Sequence, residues 1–389
     1  MKTFKLNQKK EHLFTKGENF FYQTDLDSSI KSCTPGEWVE VQVGQQRVLG
    51  FVNPFVTKGS DVILVGATPL SPDEYVISKV QLAIKNRERY DYEKCCRLIY
   101  GQADSLPGLV VDCYSNAVIV QISSAGMDKY REKIKEILES SFGDIIYFLD
   151  NEKYRLKEGL PIYEKDNLPE VIKIKENKFD YEITREQLQK IGYYYDHREN
   201  RSKLENVLER LNRNFTNGLD LFCYIGSWGM HLLRAGAENV TFVDQANMEN
   251  VVTRNCEIND YSKSQIDFER SDVFKYLDKK VSDGSKFDVI VCDPPAFNKS
   301  SKTKGSSLIG YEKLYQRIFK ILESDSVLAA ASCTQNVTLE DLDACVQKMA
   351  KKVGRRVQLV DLGLQGFDHP IESLKSRSNY IKYLCYIVE

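Results

Sequence analysis

The chain has 389 residues, which is long enough for two or three domains of ordinary size. Hydrophobic residues make up 42% and charged residues 28%, which excludes a disordered chain, and no apolar run reaches the length of a membrane span. The net charge of −2 means that a nucleic acid would have to meet a local basic face.

The ten cysteines and four histidines indicate a reducing compartment without a metal centre. No two cysteines form a C-x-x-C pair, and no histidine has metal-ligand spacing to a cysteine. The lysine-rich start lacks the apolar core and cleavage site of a signal peptide. We therefore expect a cytoplasmic protein with reduced thiols, no membrane contact and no bound metal.

The first 75 residues alternate short β-rich runs with Gly and Pro turns, which is typical of a small β-barrel-like module. The predicted strands are 38–43, 47–52 and 62–65. A helix start with Ser71 or Asp73 as its cap marks a boundary near residue 75.

Residues 76–188 mix helices with mostly antiparallel strands and predict a small α+β domain. We expect helices over 79–90 and 127–140. The predicted strands of this domain are 97–100, 109–111, 117–122 and 145–149.

From residue 189 onward, short apolar runs alternate with helical stretches, which predicts an α/β domain with a parallel sheet covered on both faces. The predicted strands are 218–223, 240–244, 266–269, 287–292 and 326–331. Ligands of such sheets bind at the carboxyl ends of the strands.

Three successive strand ends predict a nucleoside pocket. Gly226 and Gly229 follow the first strand, allow a close approach of backbone to ligand, and precede a helix predicted from His231. Asp244 ends the second strand, where it suits ribose hydroxyls, and Asp272 follows the third, where it suits an adenine amine. A structural turn followed by a solvated acid is the alternative. A dinucleotide site shares this logic, but its G-x-G-x-x-G pattern is absent.

The fourth and fifth strand ends predict the reaction. Asp293 precedes Pro294 and Pro295, which fix its backbone, and Cys333 follows the neighbouring strand. A thiolate beside an acid suits methylation at C5 of a pyrimidine: the thiolate adds to C6, the acid takes up charge at N3, and C5 then attacks a methyl group. The alternative is a buried structural cysteine.

Two further segments carry candidate substrate contacts. Lys299 and Lys302, in a polar loop, could contact RNA phosphates, although such loops are usually only solvated. Asp196 and Arg198 follow three tyrosines and are expected at the pocket mouth, against the cofactor carboxylate or the substrate. The alternative is an interdomain connection packed by tyrosines.

Six motifs carry a resemblance over nearly the whole length: 101–112 (GQADSLPGLVVD), 194–201 (YYDHRENR), the glycine loop, 293–297 (DPPAF), 332–334 (SCT) and 368–370 (DHP). With them the chain resembles the bacterial large-subunit ribosomal RNA cytosine-C5 methyltransferases, a class I S-adenosylmethionine-dependent family. The resemblance implies an RNA-binding PUA domain (1–75), a central α+β domain (76–188) and a Rossmann-like methyltransferase domain (189–389). It also implies ribosomal RNA as partner and suggests a homodimer.

By this resemblance Cys333 is the nucleophile and Asp293 the base-contacting acid. The implied cofactor site comprises Tyr224, Gly226, Gly229, Asp244, Gln245, Asp272, Val273, Asp293 and Arg198. The implied substrate site comprises Asp196, Pro294, Phe297, Lys299 and Lys302.

Two departures from the family keep alternatives open. Ala296 stands where the family usually has Lys, and where some cytosine methyltransferases carry a second cysteine. The usual Pro-Trp pair near the start is replaced by residues 18–21. The enzymatic alternative is a methyltransferase for nitrogens of RNA or protein, which favours an aromatic directly after the proline pair. The other is an RNA-binding protein that has kept the fold but lost turnover.

Overall fold

A computed structural model describes residues 1–56, 59–92, 94–190, 192–297, 304–374, 376 and 378–389. They form two compact units. The first comprises Met1–Lys175, Thr184–Ile191 and Asp368–Glu372, and the second comprises Glu176–Ile183, Gly192–Phe367 and Ser373–Glu389. Within these described ranges, no helix combines the length and the apolar composition needed to cross a membrane.

The first unit begins with a β-rich sheet in the order β1-β3-β4-β5-β2. Its elements are β1 (Lys2–Lys5), α1 (Gln8–Thr15), β2 (Phe20–Phe21), β3 (Glu37–Val43), β4 (Gln46–Val52) and β5 (Val62–Ala67). The predicted strands are β3, β4 and β5, extended by one or two residues at their ends. Alternate residues of these strands, such as Val39 and Val41, are fully buried in a common core.

Helix α2 (Pro72–Arg87) follows this sheet. The Ser71 hydroxyl accepts a hydrogen bond from the Glu74 amide, and the Glu74 carboxylate accepts one from the Ser71 amide at 2.9 Å. The helix start predicted at Ser71 is therefore confirmed. The helix predicted over 79–90 is the continuation of α2 and ends three residues early.

A second sheet of the first unit has the order β6-β7-β8-β9. Its strands are β6 (Cys96–Tyr100), β7 (Leu109–Tyr114), β8 (Ala117–Ile122) and β9 (Ile146–Phe148). The other elements in this part of the chain are α3 (Ala125–Asp128), α4 (Arg131–Phe142), α5 (Glu152–Lys157), β10 (Val171–Glu176), β11 (Phe179–Thr184) and α6 (Arg185–Lys190). Almost all of β11 belongs to the second unit. The single helix predicted over 127–140 is wrong, because the chain breaks it into α3 and α4. The Trp38 indole donates to the Gly126 carbonyl at 3.2 Å, a tertiary contact that no local pattern reveals.

In the described part of the second unit, seven strands form a sheet in the order β14-β13-β12-β15-β16-β18-β17. They are β12 (Phe215–Leu221), β13 (Ala237–Asp244), β14 (Ile266–Arg270), β15 (Phe287–Cys292), β16 (Leu322–Ser332), β17 (Val357–Gly363) and β18 (Lys382–Val388). The five strands predicted from the sequence pair in parallel, as expected. Strand β18 is antiparallel to both of its neighbours.

Six helices of this unit are α7 (Arg198–Leu211), α8 (Ser227–Arg234), α9 (Glu249–Glu257), α10 (Val273–Asp283), α11 (Lys304–Ile321) and α12 (Leu339–Lys352). Apolar residues of α10, α11 and α12 share one buried core with the strands. The predicted α/β class is confirmed. The chain order reverses on either side of β12, and in such sheets ligands bind at the carboxyl ends of the strands at this point.

Candidate active site

The loop after β12 is built by left-handed backbone. Tyr224 has φ +49° and Gly226 has φ +88°, which a side chain would strain at the second position. The Tyr224 amide donates to the Asp244 carboxylate at 3.0 Å, and its hydroxyl donates to the Gly192 carbonyl at 2.6 Å. Helix α8 starts directly after Gly226, at Ser227, and not at His231 as predicted. The loop therefore presents a helix N-terminus at the carboxyl edge of the sheet.

Gly229 has a different purpose from the one expected. It lies inside α8, and a Cβ atom there would come within 2.1 Å of the Phe242 ring. Close packing of α8 on β13 therefore requires a glycine here, and the close approach of its backbone to a ligand stays a prediction. Its amide donates to the buried Asp220 carboxylate at 2.8 Å.

The two predicted nucleoside acids lie at consecutive strand ends. Each oxygen of Asp244 accepts one backbone hydrogen bond, from Tyr224 and from Ala246. Asp272 caps α10 by accepting from the Lys275 amide at 3.1 Å. A carboxylate oxygen accepts more than one hydrogen bond, so both acids keep capacity for a ligand. Gln245 is exposed beside Asp244, whereas the Val273 side chain is buried in the core.

Two nitrogen groups that the sequence did not reveal lie next to Asp293, and one of them makes a hydrogen bond to it. The Trp228 indole donates to its Oδ2 at 3.1 Å, and His197 Nε2 lies 3.5 Å from its Oδ1. The Asn200 amide nitrogen, which donates to a backbone carbonyl, also lies 3.1 Å from His197 Nδ1. Because that nitrogen can only donate, His197 Nδ1 is the acceptor of this contact, and Nε2 is the ring nitrogen that faces Asp293.

Cys333 follows β16, directly beside the end of β15, and the structure brings it together with Asp293. Its Sγ lies 3.8 Å from the Pro294 carbonyl oxygen, and the thiol is partly exposed. Burial, and then the nearby carboxylates of Asp293 and Asp196, raise the pKa of the Cys333 thiol to about 12. The site therefore brings a thiol and an acid together at adjacent strand ends, with the thiol protonated in the free protein.

Asp196 and Arg198 are both buried and do not lie at an open pocket mouth, although the Asp196 carboxylate is near enough to the Cys333 thiol to act on its pKa. Arg198 is 1% exposed, and its Nε lies 3.7 Å from the Glu176 carboxylate of the same unit. Asp196 accepts a hydrogen bond from the Tyr380 hydroxyl at 2.6 Å. The Arg198 guanidinium also lies over the Tyr195 ring, 4.8 Å from its centroid.

Phe297 turns into the protein. Its ring meets Tyr311 edge-on at 4.8 Å between centroids, and a Cβ on Gly310 would lie 3.1 Å from it. Pro294 is buried and Pro295 is exposed. Lys299 and Lys302 lie outside the described residues.

The site residues missing from the sequence-based set are His197, Trp228, Tyr380 and Lys382. Lys382 did leave a signal, because it is a lone cation in the apolar run 380–388. No sequence signal pointed to Trp228, because the sequence does not show which distant residue the indole of a glycine loop will contact. Among the residues described above, no three His, Cys, Asp or Glu side chains group as metal ligands would.

Comparisons with known proteins agree on the kind of protein. The model of the family described as "Conserved hypothetical protein 95" matches residues 199–358. A Methanocaldococcus jannaschii protein named "Putative ribosomal RNA large subunit methyltransferase" is 30% identical over 98% of this chain and 95% of its own length. "Ribosomal RNA large subunit methyltransferase I" of Pseudoalteromonas atlantica is 31% identical over 74% of this chain and 73% of its own.

Solved structures share the fold. "A putative sam-dependent methyltransferase from Streptococcus mutans" superposes with a TM-score of 0.75 at 19% identity, covering 100% of both chains. A crystal structure described as "a putative methyltransferase complexed with SAH" has a TM-score of 0.78, also at 19% identity with 100% coverage of both chains.

Proposed function

Since the chain belongs to the family of large-subunit ribosomal RNA methyltransferases, we propose that it methylates carbon 5 of a cytosine in ribosomal RNA. The observation that carries the proposal is the Cys333 thiol beside Asp293 at adjacent strand ends. Few reactions need both a thiol at one face of a base and an acid at its edge, and C5 methylation needs the thiol at C6 and the acid at N3.

The residues around the glycine loop fit S-adenosylmethionine as the methyl donor. Asp220 is fully buried beneath the loop, and its Oδ1 has no hydrogen-bond partner among the described residues, as expected for a group that awaits a ligand amine or water. Asp244 has acceptor capacity for ribose hydroxyls, and Asp272 for an adenine amine. Bound there, the cofactor supplies an electrophilic methyl group.

The chemistry follows from the two strand ends. The Cys333 thiol gives its proton to water and the thiolate forms a bond to C6 of the cytosine, while N3 takes a proton from water and donates it in a hydrogen bond to the Asp293 carboxylate. Carbon 5 becomes nucleophilic and takes the methyl group. Water then removes the C5 proton, the S–C6 bond breaks to restore the C5–C6 double bond, and N3 loses its proton to water as the Cys333 thiolate regains one. The Trp228 indole holds Asp293 in one orientation during these steps.

The target base must leave its stack to reach Cys333. We propose that the β-rich sheet of residues 1–75 helps to hold the RNA, as a PUA domain would, and that residues 76–188 form a separate α+β domain. A homodimer and phosphate contacts from Lys299 and Lys302 are further parts of this proposal.

The inward packing of Phe297 favours carbon over nitrogen as the acceptor. Nitrogen methyltransferases use an aromatic ring after the proline pair to stack on the substrate. Here the ring packs against Tyr311 and Gly310 instead. The intact pair of Cys333 and Asp293 favours an active enzyme over an RNA-binding protein without turnover.

The test uses S-adenosylmethionine labelled at its methyl group, and ribosomal RNA from a strain that lacks this gene. After incubation the RNA is digested and its nucleosides are separated by mass spectrometry. We expect label in 5-methylcytidine with the wild type and none with Cys333→Ala. Label in another nucleoside, or undiminished label with Cys333→Ala, would remove the covalent C5 reaction.

A further inference from the structure

Lys382 is a buried cation at the start of β18. Its side chain is 4% exposed in an otherwise apolar strand. The ammonium donates to the Thr334 carbonyl at 2.7 Å and to the Tyr380 carbonyl at 2.9 Å. Burying a charged lysine costs free energy unless hydrogen bonds and nearby charges compensate for the lost hydration, so a buried lysine at this position suggests a functional role.

The lysine lies opposite the proposed nucleophile. Lys382 pairs with Ser332 in the antiparallel register of β16 and β18, and Cys333 is the next residue. By bonding to the Thr334 carbonyl, the ammonium fixes the chain on the far side of Cys333. Tyr380, whose carbonyl takes the second bond, donates its hydroxyl to Asp196. The groups around the thiol are thus joined in one network.

The charges of this network oppose one another. Asp293 and Asp196 disfavour the Cys333 thiolate, and Lys382 favours it. Burial lowers the pKa of the Lys382 ammonium to about 8, against the charges of Cys333 and Asp341, which raise it. The lysine therefore keeps its proton over most of the neutral range.

We propose that Lys382 is a positioning residue for Cys333: its ammonium fixes the strand end that carries the thiol and offsets the two carboxylates that oppose thiolate formation. When the S–H bond breaks, the proton passes to water, and the sulfur keeps the electron pair that attacks C6. The inference rests on the proposed function, which makes Cys333 the nucleophile.

The test measures the reactivity of Cys333 without RNA or cofactor, and so does not depend on the methyl-transfer assay. Iodoacetamide alkylates the protein at about pH 7.5, and peptide mass spectrometry follows Cys333 alone. We expect Lys382→Met to slow this alkylation by about tenfold, because thiolate reacts and thiol does not. Lys382→Arg keeps the charge and should stay within about threefold of the wild type. Lys351→Met, which removes an exposed lysine of α12, should change nothing.

The wild type supplies an independent reading should Lys382→Met fail to fold. The logarithm of the alkylation rate should rise by less than one per pH unit around pH 8, because the lysine loses its proton there and Cys333 becomes harder to ionise. A slope of one throughout, or equal Cys333 reactivity in folded Lys382→Met, would overturn the inference. If the Cys333 alkylation rate depends on Lys382 but Cys333→Ala still methylates RNA, the effect of Lys382 on Cys333 is supported and the proposed covalent reaction is contradicted.

Discussion

The Cys333 thiol lies among groups that oppose its ionisation. Its pKa is raised to about 12 by burial and by the two carboxylates near it. Well below that pKa only a small fraction of the thiol is ionised, so the nucleophile is scarce at neutral pH. The free enzyme therefore keeps the thiol protonated, and the reaction has to begin with its ionisation.

We accordingly expect kcat/KM for methyl transfer to rise with pH from about 6.5 to about 9, because this ratio reports the ionisation of the free enzyme. Initial rates with labelled cofactor at subsaturating RNA measure it. Wild-type unfolding curves at each pH control for loss of the fold. A ratio that stays flat or falls over this range, with the protein folded, would contradict a thiol nucleophile of high pKa.

Trp228 offers a second test at this scale. Trp228→Phe keeps a ring to stack on Tyr383 but removes the hydrogen bond to Asp293. We expect kcat to fall by about tenfold, since one such bond contributes about 1–1.5 kcal/mol, with little change in Tm. The matched control is Trp38→Phe, which removes an indole bond in the first unit and should lower Tm without lowering kcat. If Trp228→Phe instead lowers Tm and leaves kcat unchanged, Trp228 contributes to stability and not to catalysis.

Single residues were predictable where strand position decides their place. Cys333 and Asp293 follow apolar runs that become adjacent parallel strands, so their meeting follows from the pattern. Arg198 was misplaced because its partner, Glu176, lies more than twenty residues earlier in the chain. No local periodicity encodes such a pairing.

At the scale of elements, the fit between α8 and β13 fixes the glycine loop. The loop needs a left-handed residue at Gly226, and the helix behind it needs the absence of a side chain at Gly229. The sequence shows both glycines but not that a left-handed backbone requires the first and close helix–strand packing the second. The position of Phe242 across the sheet decides the second one.

Gly229→Ala should destabilise the second unit, because the new methyl group would overlap the Phe242 ring. We expect the free energy of unfolding to fall by about 1–3 kcal/mol, measured by thermal or denaturant unfolding. Gly305→Ala is the control: it lies in α11 with open space around it, so it should raise stability by up to about 1 kcal/mol. Equal effects of the two substitutions would contradict the packing account.

At the scale of the whole molecule, the pattern of apolar runs gave the α/β class and the parallel order of five strands. It did not predict that Asp368–Glu372, late in the chain, belong to the first unit. There the Asp368 carboxylate accepts from the Arg97 amide at 2.9 Å, and Arg87 donates to the Asp368 carbonyl. Contacts between residues more than 200 positions apart leave no local signature.

The buried Asp220 sets a pH dependence of global stability. Burial raises the pKa of its carboxyl to about 8, so the folded state keeps a proton that the unfolded chain releases near pH 4. The free energy of unfolding should therefore fall as pH rises from about 4 to about 8. Asp220→Asn removes this dependence and should raise Tm more at pH 8 than at pH 5.

Asp278→Asn is the control for that measurement, because it removes an exposed carboxylate paired with Arg317. Such a surface pair contributes at most about 1 kcal/mol, so Tm should change little at either pH. A Tm gain for Asp220→Asn that is equal at both pH values would mean that Asp220 is already ionised in the folded protein.

A covalent bond between Cys333 and C6 of a cytosine can be tested directly. RNA carrying 5-fluorocytidine at the target is incubated with the protein and S-adenosylmethionine, because the fluorine that replaces the C5 proton cannot leave as a cation. We expect a protein–RNA complex that survives denaturation, with Cys333 as the modified peptide, and none with Cys333→Ala. Methylation of ordinary RNA without any such complex, or a complex through another residue, would contradict the account.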